Sequence, residues 1–230
     1  MEFFNNLIEY YNLFVTFFPR LMAGLFATIQ LTIYSLLIAI VLGLCTCFFK
    51  ISKFKILRGI ATVYVDLIRG TPLMIQAVFL YFGLTQALGF RMTSFVAGII
   101  VLSLNAGAYL SEIFRGGINA INKGQMEAAL SLGLPHSRSM LKVVLPQALK
   151  NSIPATVNQF IITLKDTTII SVIGTAELMK VTSQIIAYNF ESFKMYTIAA
   201  VMYFIVIFTL TKIAGKIERR FGNGTESSSK

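Results

Sequence analysis

An all-α membrane protein with five transmembrane helices is the fold class this sequence predicts, and three observations carry that prediction. Hydrophobic residues fill 56% of the 230 positions and charged residues only 13%, against roughly 45–50% and about 25% in an average soluble domain. Mean hydropathy is +0.73. The apolar residues are gathered into runs of about 18 or more, and roughly 20 residues at 1.5 Å rise cross a hydrocarbon core about 30 Å thick. Such a chain is neither a soluble globular domain nor disordered, collagenous or a disulfide scaffold.

The spans are expected at Leu21–Phe49, Gly59–Leu84, Ser94–Phe114, Ser152–Gly174 and Met195–Ile213. The first, third and fifth are clear from hydropathy, whereas the second carries Asp66 and Arg69 and the fourth carries Lys165 and Asp166. Ahead of them, residues 1–18 lack the basic start of a signal peptide and carry Glu2 and Glu9 instead. Phe3, Phe4, Leu7, Ile8, Tyr11, Phe14, Val15 and Phe18 repeat helically on one stripe. That stripe suits an amphipathic helix at the outer interface, or a tilted extension of the first span. Residues 218–230 form a polar, Ser-rich tail expected to be disordered and cytoplasmic.

Position explains the net charge of +10. Fourteen of the 20 basic residues fall on one side of the expected bundle: Lys50, Lys53, Lys55 and Arg58, then Arg115, Lys123, Arg138, Lys142 and Lys150, then Lys212, Lys216, Arg219, Arg220 and Lys230. Arg20, Arg91, Lys180 and Lys194 fall on the other. The positive-inside rule therefore puts the amino terminus outside and the carboxyl terminus in the cytoplasm. The basic excess records topology and gives no support for nucleic-acid binding.

Enzyme chemistry has little to stand on. No G-x-x-x-x-G-K-[ST] loop and no G-x-G-x-x-G fingerprint occurs, so the chain is not expected to bind ATP or any other cofactor by itself. His136 has no carboxylate or cysteine spaced to share a metal or build a triad. Cys45 and Cys47 point to different faces of one helix and read as small packing residues.

One connection is too long. Helix connections in bundles run about 2–8 residues, yet Arg115–Asn151 separates the third span from the fourth. Good helix formers from Gln125 to Leu132 stop at Gly133 and Pro135, and a second short helix fits Ser137–Leu145. Met126, Ala129, Leu130 and Leu132 offer an apolar surface, either to dock a partner or to cap the bundle.

Within this segment, Glu127-Ala128-Ala129, Gly133, Val143 and Leu145-Pro146 resemble the EAA-x3-G-x9-I-x-LP signature of permease subunits in ATP-binding-cassette importers, with Val in place of Ile. The resemblance implies a type I importer permease fold in which residues 123–146 are the coupling segment on the cytoplasmic face. It implies that Glu127, Ala128, Ala129, Gly133, Leu145 and Pro146 engage a separate ATPase subunit. Two such ATPase subunits would carry the ATP and Mg, a second permease subunit would complete a homodimer or heterodimer, and an extracytoplasmic binding protein would deliver the cargo. The chain would then be a multi-pass protein of a bacterial inner membrane, with lipid around it.

Charges inside spans are costly and mark functional sites. Asp66 and Arg69 are three apart and can pair on a helix, while Pro72 lacks an N–H, so the second span should kink or open around Arg69, Gly70 and Thr71. Broken helices within a span point to transport sites. Arg69-Gly70-Thr71-Pro72-Leu73 with Gln76, Ser103-Leu104-Asn105 with Tyr109, Glu112 to Gly117, and Lys165-Asp166-Thr167-Thr168 resemble the polar amino-acid uptake branch of these importers. A zwitterionic amino acid needs a cation for its carboxylate and an acid for its ammonium. Arg69, a planar fork suited to carboxylate, and Asp166 can supply the two, with Thr71, Ser103, Asn105 and Gln159 for the remaining polar atoms. Members of that branch often carry Asn-Glu-Phe where this chain has Asn158-Gln159-Phe160, so a neutral polar cargo such as glutamine or cystine is favoured over a cationic one. The competing reading is an ATP-independent secondary carrier or channel subunit, which would leave the long connection without a purpose. A purely structural anchor would leave Arg69, Lys165 and Asp166 unexplained.

Overall fold

Alternating apolar stripes at helical period, with glycine or proline between them, give an all-helical chain. The computed structural model describes residues 2–222 and, among the described residues, holds helices and no strand. They are α1 (Glu2–Ile51), α2 (Lys55–Gly70), α3 (Leu73–Leu88), α4 (Ser94–Asn119), α5 (Lys123–Ser131), α6 (His136–Ile173), α7 (Leu178–Asn189) and α8 (Ser192–Gly222). One π-helical turn interrupts α3 at Phe79–Leu84 and another interrupts α6 at Met140–Val144.

Three stretches, Ile8–Ile51, Ser94–Asn119 and Ser192–Lys216, are each long and apolar enough to cross a membrane. Two further candidates are bent pairs: α2 meets α3 at 108°, and α6 meets α7 at 47°. The bundle thus has three to five candidate spans, five if each bent pair is one. Of the two outcomes expected around Arg69, Gly70 and Thr71, a kink or an opening, the second span shows the opening: two helices meeting at 108°. The fourth begins far earlier than Ser152, because the short helix expected at Ser137–Leu145 runs on into α6 through its π turn. Residues 218–222, expected in a disordered tail, continue α8; the rest of that tail lies outside the described residues.

The helix expected in residues 1–18, described from Glu2, runs into the first span without a break, straight through Pro19. At about 1.5 Å per residue the 50 residues of α1 extend roughly 75 Å, more than twice the thickness of a bilayer core. Ile8, Tyr11, Val15 and Phe18 are on its exposed side. Tyr10, Leu13, Phe14 and Phe17 are the residues that turn inward against α7 and α8, so most of the expected stripe faces outward. Phe3, Phe4 and Leu7 lie outside the described side chains.

The core sits along α1, which contacts α4 over much of its length. Leu36, Ala39 and Cys47 of α1 pack on Ala106, Leu110 and Phe114 of α4. Small residues let the two backbones close, as is usual where lipid gives no hydrophobic drive between helices: a Cβ at Gly43 would lie 2.8 Å from the Leu110 Cβ. At the end of this pair the Lys50 Nζ meets the Glu112 Oε1 at 2.6 Å, and the Arg115 guanidinium meets the other oxygen of the same carboxylate at 2.5 Å. Leu21 and Leu25 of α1 pack on Leu178, Val181 and Ile185 of α7 and on Met195, Ile198 and Met202 of α8.

Glu177 fixes the start of α7 within that second cluster. Its side chain is fully buried and accepts the amides of Met179 (2.9 Å) and Lys180 (2.7 Å), while the Tyr203 hydroxyl donates to it at 2.8 Å. The Thr28 hydroxyl of α1 accepts the Leu178 amide at 3.1 Å. These bonds satisfy the unpaired donors at a helix start. Replacing Glu177 by Leu leaves a buried hydroxyl and two amides without acceptors, an expected loss of about 1–3 kcal/mol for each group so stranded. Thermal melting of the solubilised protein should drop accordingly; an unchanged melting temperature would contradict the buried network.

Candidate transport site and coupling segment

Proline without an N–H ends α2. Thr71 (φ −120°, ψ 144°) and Pro72 (φ −63°, ψ 134°) are extended, and α3 starts afresh behind them with the Gln76 amide bonded to Pro72 O at 3.2 Å. The Thr71 hydroxyl donates to Leu67 O at 2.8 Å. Asp66 and Arg69 are both exposed and form no ion pair, so the pairing their spacing allowed is not made. The Arg69 guanidinium instead lies over the ring of Tyr109, 5.0 Å from its centroid, a cation–π contact.

Tyr109 and Asn105 are one turn apart on α4 and share a face. Asn105 is 8% exposed, and its Nδ2 donates to the Gln76 Oε1 at 3.5 Å. A cleft of about 320 Å³ opens beside the break, lined by Leu67, Ile68, Thr71, Gln76, Val101 and Leu104 among others. Arg69, Thr71 and Asn105, three of the expected substrate residues, are thus gathered at one joint between α2, α3 and α4.

Ser103 is not among them. Two residues from Asn105 on a helix, it points some 200° away, and its hydroxyl bonds Ile99 O at 2.6 Å, the carbonyl that also receives the Ser35 hydroxyl of α1 at 3.4 Å. It serves the α1–α4 contact. Gln159 is 4% exposed and Asp166 half-buried; two turns apart, they share a face of α6 with Thr163, while Lys165 is exposed. Arg69 and Asp166 make no ion pair with each other.

The coupling segment is compact. Asn122 caps α5 by accepting the Gly124 amide at 2.8 Å. At the other end Gly133 takes φ +82°, with the Leu134 amide bonded to Ala129 O at 3.2 Å and its own amide to Leu130 O at 2.9 Å. This is the left-handed closure glycine permits without strain, and it lets Pro135 start α6 at once. Ala129 is buried inward at 4% exposure, whereas Glu127, Ala128, Leu130 and Leu132 stand outward, Leu132 at 83%. Ala129 therefore anchors α5, and the outer face of the helix is left open. Leu145 is half-buried and Pro146 exposed in α6, just beyond the π turn. Gln147 ties this turn to α5, its Nε2 donating to the Gln125 Oε1 at 3.4 Å.

Sequence reasoning did not find roles for Tyr109, Gln76 or Glu177. The i, i+4 spacing of Asn105 and Tyr109 marks a shared face, and Gly174 (φ +88°) before Thr175-Ala176-Glu177 marks a new helix start.

Comparison with known proteins agrees with this architecture. The structure superposes on that of an amino acid ABC transporter crystallised with histidines, at a TM-score of 0.85 and 40% identity, covering 90% of this chain and 96% of that one. An inward-facing methionine transporter, MetNI, shares the fold alone, at a TM-score of 0.77 and 20% identity over 90% of this chain and 98% of that one. The fold is thus that of type I importer permeases. The chain is 41% identical to the arginine transport system permease protein ArtQ of Bacillus subtilis, covering 88% of this chain and 92% of that protein. It is also 41% identical to the L-cystine transport system permease protein TcyB of the same organism (89% and 88%), and 37% identical to the glutamine transport system permease protein GlnP of Escherichia coli (88% and 93%). Residues 35–222 match the family described as binding-protein-dependent transport system inner membrane component, and the chain belongs to that family.

Proposed function

We propose that this chain is the membrane-spanning permease subunit of an ATP-binding-cassette importer that carries a polar L-amino acid into the cytoplasm by alternating access. The observation that carries this reading is the presence, in one chain, of a broken span with an unpaired Arg69 beside it and an exposed helix–turn–helix at Lys123–Pro146. Its relatives at 41% and 37% identity are named for arginine, cystine and glutamine transport. Arg69 takes the amino acid's carboxylate, and Asp166 its ammonium. Thr71, Asn105 and Gln159 serve the remaining polar atoms. Gln159 offers a neutral amide where a carboxylate would favour a cationic side chain, which supports a neutral polar cargo.

ATP hydrolysis belongs to two partner ATPase subunits, which bind the nucleotide and Mg. They dock on the outer face of α5, and Gly133 and the Leu145–Pro146 turn pass their closure to α6. A second permease subunit completes the translocation path, and an extracytoplasmic amino-acid-binding protein loads it. The amino terminus faces outward and the carboxyl terminus the cytoplasm, as the distribution of Lys and Arg supports.

Arg69→Ala and Asp166→Ala should each abolish uptake by the reconstituted complex without lowering its assembly; near-normal uptake in either variant sinks the site. Gly133→Asp forces a side chain into a left-handed conformation, a strain of about 1–2 kcal/mol, and Glu127→Lys reverses the charge of the docking face. Either should strip the ATPase from the membrane or uncouple hydrolysis from transport, and unchanged copurification and coupled ATPase rates would count against the docking assignment. Uptake of labelled glutamine, cystine and arginine, each with the cognate binding protein, should favour the neutral pair, and a preference for arginine would refute the role given to Gln159.

A further inference from the structure

The break in α2 orphans one particular carbonyl. In an uninterrupted helix the N–H at position 72 would bond Ile68 O, and proline has none. The Gln76 side chain takes its place: its Nε2 lies 2.8 Å from Ile68 O, 3.0 Å from Thr71 O and 2.9 Å from Thr71 Oγ1. The amide's orientation is fixed by these partners, because two are carbonyl oxygens that only accept. The third, the Thr71 hydroxyl, gives its own proton to Leu67 O and is left to accept. On its other side the Gln76 Oε1 receives Asn105 Nδ2 at 3.5 Å. Among the described residues no other side-chain donor reaches Ile68 O.

One amide thus ties together the last turn of α2, the extended Thr71–Pro72 link, the first turn of α3 and the Asn105 face of α4. Arg69 lies between Ile68 and Thr71, both of which Gln76 holds, and its guanidinium rests on Tyr109, one turn from the Asn105 that Gln76 also holds. Without these bonds the 108° joint would keep on its α2 side only the Thr71 hydroxyl on Leu67 O, the packing of Ile68 on Ala108 and the Arg69–Tyr109 contact, and a charged side chain at its rim would sample several directions.

We propose that Gln76 is the positioning residue of the transport site: it stands in for the missing Pro72 N–H, locks the α2–α3 joint, and so aims Arg69 and Asn105 at the amino acid. The inference rests on the reading of Arg69 as the carboxylate-binding residue. Gln76 acts through Arg69, so its worth disappears when Arg69 no longer offers its fork.

The test is equilibrium binding of labelled L-arginine, L-glutamine and L-cystine to the solubilised permease–ATPase complex, for the wild type, Q76L, Q76E, R69K and R69K/Q76L. Q76L keeps the bulk without donors, and Q76E keeps the shape and loses both donors when ionised. Each should weaken binding of the best-held probe about tenfold or more, the scale of a small misplacement of a binding group. On the R69K background the loss from Q76L should shrink to about threefold or less, the mark of two residues acting as one unit. Wild-type affinity in Q76L and Q76E, with R69K weakened, overturns this inference and leaves the Arg69 site standing. Equal losses from Q76L on both backgrounds overturn transmission through Arg69. Failure of both Gln76 variants to assemble, or lower yield at unchanged affinity, marks a purely structural role and also overturns it. Wild-type affinity in R69K, or no binding of any probe by the wild type, overturns instead the reading on which it rests.

Discussion

A proline without an N–H, at the middle of a candidate span, is the constraint on which the site depends. Backbone polar groups in a bilayer must be satisfied internally, and irregular backbone is tolerated only against protein or a water-lined cavity. Pro72 therefore does more than bend α2: it ends it, turns the chain through 108°, and leaves carbonyls that side chains must answer. Thr71 answers Leu67 O and Gln76 answers Ile68 O. Beside this turn Arg69 has no acidic partner among the described residues, and its guanidinium rests on Tyr109. Pro19 and Pro154, by contrast, sit inside continuous helices, so proline alone does not decide the outcome.

Around the joint, α1 and α4 supply a rigid spine. Their backbones close at Gly43, and the Glu112 carboxylate holds cations from both helices. Lys50 and Arg115 thus serve packing as well as topology. α7 is seated on α1 and α8 by the fully buried Glu177. Onto this frame the Gln76 bonds fix the α2–α3 joint, while the outer face of α5, with its exposed Leu132, is left uncovered.

Much of this was legible in the sequence, for physical reasons. Where hydropathy alone decides, at α1, α4 and α8, helices appear where expected, although each runs past its apolar stretch because polar residues such as Arg115 and Lys216 are no obstacle to a helix emerging from lipid. Pro72 was readable as a break, and Gly133 as a helix stop. α7 was not readable, because its core-facing Glu177 and Thr182 look like loop residues until Tyr203, Thr28 and the backbone are seen to satisfy them. The Asp66–Arg69 pair failed because spacing shows only what can meet, and the Tyr109 ring, distant in sequence, competes for the guanidinium. Ser103 was misplaced for a related reason: two positions that fall together in a motif lie on opposite sides of a helix.

The central claim is that an amino acid binds at the α2–α3 joint between Arg69 and Asp166. It is tested most directly by a structure of the complete complex, permease with its ATPase and partner permease, determined with the transported amino acid. The account predicts density for the cargo beside the Arg69–Thr71 turn, its carboxylate on the Arg69 guanidinium and its ammonium toward Asp166. Cargo density elsewhere in the bundle, with Arg69 still resting on Tyr109 and unengaged, would contradict it.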